Sequence, residues 1–168
     1  MDKIIIVING SGESGKDTFV TFFSKYYKTL NFSSVEKVKQ IAKIVGWSGS
    51  KTEKDRKFLS DLKKLTTEYN DMSFCSIVEM VKKFEQSEAT FLFIHIREPE
   101  EIARVVKLFH AVSLLIRRQG IKEILSNSSD ARVENYSYDY VIENTTLENL
   151  ENSALEFGET LLKRRKSQ

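Results

Sequence analysis

The sequence predicts an α/β fold in which helices cover both faces of a mostly parallel sheet of about five strands. Strand-like and helix-like segments alternate along the chain. Two of the strand-like segments, 4–8 and 91–94, are continuously apolar, which is typical of parallel strands that are covered on both faces. Ligands of such sheets bind beyond the carboxyl ends of the strands, so we expect the functional residues at those ends.

The individual elements follow from local patterns. Strands are expected where β-branched and aromatic residues concentrate, at 3–8, 32–34, 91–94, 111–116 and 140–142. Helices are expected where apolar residues recur at helical spacing, at 17–29, 35–45, 55–69 and 73–88, at a segment with Pro99 in its first turn, at 121–125, and after 145. A polar loop is expected at 127–130.

Each long helix has one apolar face, which we expect to pack on the core. The last helix opens with Thr145 and Glu148, which have the spacing of a capping box. The residues expected to face inward are Val35, Val38, Ile41, Ala42 and Val45, then Phe58, Leu62 and Leu65, then Ile77, Val78, Val81 and Phe84, and finally Leu147, Leu150, Leu155 and Leu161.

The segment between the first strand and the first helix matches G-x-x-x-x-G-K, the phosphate-binding P-loop. Its glycines permit positive φ, so that backbone N–H groups converge on an anion, and the helix N-terminus also attracts phosphate. Lys16 adds a mobile positive charge for the β- and γ-phosphates of a nucleotide. The expected phosphate-binding residues are Gly10, Ser11, Gly12, Glu13, Ser14, Gly15, Lys16, Asp17 and Thr18.

Asp17 departs from the motif, which normally has Ser or Thr after the lysine to place a hydroxyl on Mg²⁺. A carboxylate can serve this cation instead, directly or through water, because Mg²⁺ prefers oxygen ligands. Asp also suits the first turn of any helix, and that structural explanation stays open.

Basic residues follow the third and fourth predicted strands. Arg97 comes after the third strand, and Arg117 and Arg118 come at the end of the fourth. Phosphoryl transfer requires positive groups that gather the phosphates and neutralise developing charge, and arginine suits this task through its fork of donors. The three arginines therefore predict a transfer site facing the P-loop.

Composition sets the class of protein. A chain of 168 residues with 40% hydrophobic and 30% charged residues is expected to form a single soluble domain over 1–168. The net charge of +2 gives no strong field for nucleic acid or membrane. No apolar run approaches the ~20 residues of a membrane-spanning helix, and we expect no signal peptide. The lone Cys75 agrees with a reducing cytoplasm.

Taken in order, several short motifs make the chain resemble the adenylate-kinase-like P-loop kinases of small phosphorylated metabolites. Phage-type deoxynucleoside monophosphate kinases and phosphomevalonate kinase are the most similar types, and they too carry Asp after the P-loop lysine. The resemblance rests on S-G-K-D-T at 14–18, F-S-S-V-E-K at 32–37, R-K-F-L-S-D-L at 56–62, H-I-R-E-P-E-E at 95–101, R-R-Q at 117–119 and D-Y-V-I-E-N at 139–144.

The resemblance implies an ATP-dependent kinase that phosphorylates a small phosphate monoester, with a (deoxy)nucleoside monophosphate as the leading acceptor. The P-loop segment would hold ATP and Mg²⁺, with Asp17 at the metal. A short lid over approximately 117–135 would close on the site. By the same resemblance, Lys37, Arg56 and Arg97 would contact the acceptor phosphate, and Arg117 and Arg118 would act with Lys16 on the transferring group.

His95 departs from the resemblance, because the family pattern has Asp there. Three explanations are compatible with this change. His95 can be a hydrogen-bonded side chain at a strand end, the acceptor can differ from the usual one, or catalysis can be weakened. A second hypothesis is therefore a P-loop nucleotide-binding sensor or interaction protein that has lost kinase activity. The sequence specifies neither the acceptor nor the oligomeric state.

Overall fold

The computed structural model describes residues 3–118 and 130–166. Five strands form one sheet with the order β2-β3-β1-β4-β5, and every neighbouring pair is parallel. The predicted parallel sheet is therefore confirmed. The strands are β1 (Ile4–Asn9), β2 (Thr29–Ser33), β3 (Phe91–His95), β4 (Val112–Arg117) and β5 (Tyr140–Glu143).

Helices connect the strands and cover the sheet on both faces. No helix of the described residues is long and apolar enough to cross a membrane. The helices are α1 (Lys16–Tyr26), α2 (Glu36–Ile44), α3 (Glu53–Asn70), α4 (Met72–Gln86), α5 (Pro99–Phe109) and α6 (Leu147–Lys166), and a 3₁₀ helix spans Asp130–Asn135.

The central strand β1 divides the core into two apolar layers. Ile6 and Ile8 face the layer beneath α1 and α6, whereas Val7 faces the layer beneath α4 and α5. This alternation follows from the two-residue period of a strand. The register aligns Ile8 with His95, the last residue of β3, and aligns Asn9 with Leu115 of β4, which continues to Arg117 beyond the end of β1.

Aromatic packing supports the helix that follows the P-loop. The ring of Phe23 on α1 lies 4.9 Å from Phe91 and 5.0 Å from Phe93 of β3, in edge-on geometry. Phe19 lies 6.0 Å from Phe157 of α6. Such pairs each contribute about 0.5–1.5 kcal/mol beyond their burial, so α1 is well anchored between the sheet and α6.

The expected apolar face of α3 is the largest error in the sequence prediction. None of the residues in this helix is buried, Phe58 is 36% exposed and Leu65 is 63% exposed. The main contacts of α3 are with α2 and α4. Hydrophobic periodicity identifies an amphipathic helix, but it does not show how far that helix lies from the sheet. Val45 and Leu147, also expected inside, are exposed as well.

Several boundaries also differ from the prediction. The helix α1 ends at Tyr26 because Tyr27 adopts an extended conformation, and β2 therefore begins at Thr29 rather than at residue 32. The side chain of Thr146, not Thr145, accepts the hydrogen bond from the backbone N–H of Asn149 that caps α6. The short helix expected at 121–125 and most of the predicted lid lie outside the described residues.

Candidate active site

The P-loop runs from the end of β1 to Lys16, the first residue of α1. Gly10 has φ +153° and Gly15 has φ +97°. A Cβ atom on Gly10 would lie 2.4 Å from the carbonyl oxygen of Ile116, and one on Gly15 would lie 2.4 Å from Nδ2 of Asn144. The motif glycines are thus required by close approach to β4 and to the segment after β5, as well as by backbone conformation.

The side chain of Lys16 folds back onto the P-loop and contacts its backbone. Its Nζ donates hydrogen bonds to the carbonyl oxygens of Gly10 at 2.7 Å and Ser11 at 2.8 Å, and to Oγ of Ser14 at 3.4 Å. Phosphate oxygens are stronger acceptors than neutral carbonyls for an ammonium group. This position therefore holds the cation where an incoming phosphate can compete for it.

Two buried amide side chains fasten the loop at its ends. Asn9, which has no exposed surface, accepts from the backbone N–H of Gly10 at 2.8 Å and donates to Oη of Tyr138 at 2.7 Å and to the carbonyl oxygen of Arg97 at 3.3 Å. Asn144 donates from Nδ2 to the carbonyl oxygen of Ser14 at 2.9 Å. Neither role was predicted, although Asn144 ends the D-Y-V-I-E-N motif and Asn9 is the first polar residue after the apolar run.

Tyr138 extends this network to the segment before β5. Its hydroxyl donates to the carbonyl oxygen of Val133 at 2.8 Å and accepts from Asn9. Burial raises the pKa of Tyr138 to about 12, so the hydroxyl keeps its proton at neutral pH and can both donate and accept.

A cavity of about 270 Å³ lies beside the loop on the side of β5 and α6. It brings Arg118 to the same space as the P-loop residues. Its lining consists of Glu13, Ser14, Gly15, Lys16, Asp17, Thr18, Arg118, Asn144, Thr145, Thr146 and Leu147.

The two adjacent arginines at the end of β4 differ in their surroundings. Arg117 donates to both carboxylate oxygens of Glu134, at 3.0 and 2.6 Å, and to Glu143 at 3.1 Å. The hydrogen bonds to Glu134 and Glu143 raise its pKa above its usual range. Arg117 therefore joins the 3₁₀ helix to β5, whereas Arg118 lines the cavity.

His95 lies on the opposite side of the loop, at the end of β3. Its Nε2 donates to Oδ1 of Asn31 at 2.8 Å, and its Nδ1 lies 3.9 Å from Oδ1 of Asp17. The imidazole is 15% exposed, whereas the Asp17 side chain is 93% exposed. Burial lowers the pKa of His95 to about 4 against the raising effect of Asp17, and Lys16 lowers it further. The imidazole is therefore neutral at pH 7.

The three residues expected at the acceptor phosphate lie on separate elements. Lys37, in the first turn of α2, forms an ion pair of 2.8 Å with Glu79 of α4. Nε of Arg56, on α3, donates to the carbonyl oxygen of Lys51 at 3.1 Å. Arg97 follows β3 and is tied to the loop through the contact of its backbone with Asn9. Of the three, Arg97 is the one joined directly to the loop, and all three roles stay predictions.

A partly buried ion group lies close to Arg97 in the sequence, and it was not predicted. Nζ of Lys63 on α3 contacts Glu98 at 2.5 Å and Glu101 at 2.9 Å, and the lysine side chain is 13% exposed. Burial lowers the pKa of Lys63, but attraction to the two carboxylates outweighs it and leaves the pKa raised. Burial, together with the charge of Glu98, raises the pKa of Glu101. The group links α3 to the first turn of α5.

The protein atoms alone do not form a complete metal centre in the part of the chain that the structure describes. No group of three or more His, Cys, Asp or Glu residues there is arranged to hold a metal ion. A cation beside Asp17 would therefore take most of its ligands from a bound nucleotide and from water, as Mg²⁺ does in nucleotide sites.

No protein-family model and no curated protein matches the chain. Among solved structures, TT1252 from Thermus thermophilus is similar with a TM-score of 0.58 and 18% identity, covering 96% of this chain and 99% of that one. A candidate kinase from Chloroflexus aurantiacus J-10-fl is similar with a TM-score of 0.59 and 12% identity, covering 96% and 97%. Thymidylate kinase from Ehrlichia chaffeensis has a TM-score of 0.48 and 11% identity, covering 96% and 100%.

At 18% and 12% identity, the first two structural similarities are evidence for the fold alone. They extend over nearly the full length of each chain. This chain itself has the strand order β2-β3-β1-β4-β5, with the G-x-x-x-x-G-K loop between β1 and α1. The chain therefore has the α/β P-loop NTPase fold that its sequence predicts.

Proposed function

We propose that the protein is an ATP-dependent kinase that phosphorylates a small phosphate monoester, with a (deoxy)nucleoside monophosphate as the leading acceptor. The observation that carries this proposal is the cavity shared by the P-loop residues 13–18 and Arg118. A site that only stores a nucleotide has no need of a second cation beside the transferring group, whereas transfer requires one. The kinase described for a structural neighbour agrees with this reaction class.

We infer one direction for the nucleotide along the cavity. Its phosphates lie along the P-loop, where Lys16 exchanges its contacts with loop carbonyls for contacts with phosphate oxygens. The base then lies toward Thr145, Thr146 and Leu147, whose apolar side chain is 66% exposed. Arg118 lines the same cavity and supplies a planar cation for the phosphates.

Asp17 fits a magnesium ion in this arrangement, because an exposed carboxylate at the first turn of α1 offers the hard oxygen ligand that Mg²⁺ prefers. Bound Mg²⁺ would neutralise charge on the β- and γ-phosphates. The attacking group is an oxygen of the acceptor phosphate, which is already anionic and needs no strong general base. The protein therefore contributes positioning and positive charge, through Lys16, Arg97 and Arg118.

The proposal is tested by release of ADP in a coupled assay with a panel of nucleoside monophosphates, deoxynucleoside monophosphates and phosphomevalonate. Lys16→Ala is expected to weaken ATP binding about 100-fold, because it removes the charged donor at the loop. Lys57→Ala, which changes an exposed lysine on α3, is the matched control and should leave binding unchanged. Unchanged ATP affinity in folded Lys16→Ala would contradict the nucleotide site.

The acceptor and lid roles are separated by kinetics. Arg97→Ala is expected mainly to raise KM for the acceptor, whereas Arg118→Ala is expected mainly to lower kcat, each by at least about tenfold. ATP affinity should change far less in Arg97→Ala than in Lys16→Ala. Equal effects of the two arginine variants on ATP binding alone would remove the acceptor site from the proposal.

A nucleotide-binding sensor is the second candidate function. It is favoured by the neutral imidazole of His95 at the position where the resembling kinases have Asp, and by the ion pair of Lys37 with Glu79. A sensor would bind ATP with Lys16-dependent affinity and return it unchanged, without ADP release for any acceptor in the panel. Calorimetry of ATP binding together with the coupled assay decides between the two functions.

A further inference from the structure

The contact between His95 and Asp17 joins two atoms that both carry lone pairs. The Nε2–H of His95 is committed to Oδ1 of Asn31 at 2.8 Å, and this hydrogen bond leaves the lone pair of the neutral imidazole on Nδ1. That nitrogen faces Oδ1 of Asp17 at 3.9 Å. A lone pair and a carboxylate do not attract each other, whereas a cation between them would bond to both.

The spacing suits a divalent ion after a small movement. Nitrogen and oxygen ligands lie about 2.1 Å from such ions, so neighbouring ligands of an octahedral ion are about 3.0 Å apart. Asp17 is 93% exposed and can rotate to close the difference, whereas His95 is 15% exposed and is held by Asn31. The nitrogen ligand, His95, is therefore held in place, and the oxygen ligand, Asp17, is free to move toward the ion.

The position also suits a nucleotide-bound ion. Asp17 directly follows Lys16 in the first turn of α1 and lines the cavity beside the P-loop. Because the described protein groups do not complete a coordination sphere, phosphate oxygens and water must supply the remaining ligands. This inference therefore rests on the proposed function, since it requires a bound nucleotide.

We propose that the divalent cation of the nucleotide complex is bound by Nδ1 of His95 as well as by the carboxylate of Asp17. An imidazole ligand favours first-row transition ions, whereas Mg²⁺ favours oxygen ligands and keeps its water. His95 thus shifts the metal preference of the site away from Mg²⁺.

The test uses Mn²⁺ as a paramagnetic probe on the full chain, with ADP or a slowly hydrolysed ATP analogue bound. Electron spin-echo modulation detects nitrogen ligands of Mn²⁺ without any measurement of activity. We expect a ¹⁴N coupling that changes to a ¹⁵N coupling when only the histidines carry ¹⁵N. The sequence has two histidines, so His95→Ala should abolish the signal and His110→Ala should retain it.

A second measurement follows the metal preference. His95→Asp keeps a ligand at this position but changes nitrogen to oxygen. The ratio of Mn²⁺ to Mg²⁺ affinity in the nucleotide complex should fall about tenfold, as expected for the loss of one preferred ligand. His95→Gln provides an uncharged variant in case the aspartate disturbs folding, and its Mn²⁺ complex should also lack the histidine coupling.

The outcomes separate this inference from the proposed function. Nucleotide binding with no histidine coupling to Mn²⁺ overturns the ligand assignment and leaves the kinase proposal standing. A coupling that survives in His95→Ala also overturns the assignment. Absence of nucleotide binding in the intact protein overturns both proposals, and calorimetry with the nucleotide alone detects that outcome.

Discussion

The P-loop and the helix α3 are held in opposite ways. The loop is bonded from several strands: Asn9 and Ser14 have no exposed surface, and Asn144 is buried against the loop. In α3 no residue is buried, and Tyr69 is 85% exposed. The strongest long-range attachment of α3 among its described contacts is the ion group of Lys63.

The difference in burial between the P-loop and α3 predicts how well each region tolerates substitutions. In the loop, a Cβ atom added at Gly10 would meet the carbonyl oxygen of Ile116 on β4, and one added at Gly15 would meet the side chain of Asn144. On α3, most side chains can change without consequence because water replaces the lost contacts. Four changes test this comparison, in order of decreasing expected effect.

The largest effect is expected for Gly10→Ala. The new Cβ would meet the carbonyl oxygen of Ile116 at 2.4 Å, and φ of +153° strains any L side chain. Strain and overpacking together are expected to lower the free energy of unfolding by about 4–6 kcal/mol. Gly12→Ala is the matched control, because no atom lies within 4 Å of its added Cβ. Urea unfolding measures both, and equal stabilities would show that the loop is not fixed by β4.

The next effect is expected at the ion group of Lys63, which joins α3 to α5. Lys63→Met keeps the aliphatic stem but leaves Glu98 and Glu101 close together without their cation. Loss of one partner from a buried ion group costs about 3–4 kcal/mol of unfolding free energy. Lys57→Met removes an exposed ion pair with Asp61 and should cost less than about 0.5 kcal/mol. Similar values for the two variants would mean that α3 does not depend on this group.

A pH-dependent effect is expected at His95, on the rim of the loop. Its pKa of about 4 lies below the usual value of 6.5, so the unfolded chain binds the additional proton between these values. The contribution of His95 to the free energy of unfolding is therefore fully present above pH 6.5, and it decreases by about 3 kcal/mol as the pH falls to 4. His95→Gln should lack this component, whereas His110→Gln should retain it. The free energy of unfolding is measured against pH in the presence of a chelator. The same pH dependence in His95→Gln and in the unmodified protein would contradict this prediction.

The smallest effect is expected on the exposed face of α3. Leu65→Ala removes a side chain that is 63% exposed, so unfolding free energy should change by less than about 0.5 kcal/mol. Leu150→Ala, at a leucine of α6 with no exposed surface, should cost about 2–5 kcal/mol. A large loss for Leu65→Ala, measured at several protein concentrations, would show that this face is covered in solution.

Much of the fold was predictable because its signals are local. The apolar runs of β1 and β3 identified buried strands, and the order of glycines and lysine identified the P-loop. The same reasoning failed for Phe58 and Leu65, because an apolar face indicates which side of a helix turns inward and not how deeply it is covered. It also assigned the cap of α6 to Thr145, one residue before the threonine that makes the hydrogen bond.

The sequence by itself determined the fold class, the position of the P-loop and the arginines at the strand ends, since each depends on residues close together in the chain. Only the tertiary structure decided that Asn9 meets Tyr138, that His95 faces Asp17, and that Arg118 rather than Arg117 lines the cavity. These contacts depend on strand register and on the direction of individual side chains. Both are decided by packing across the whole sheet, because residues far apart in sequence must satisfy each other's hydrogen bonds and charges in the same small space.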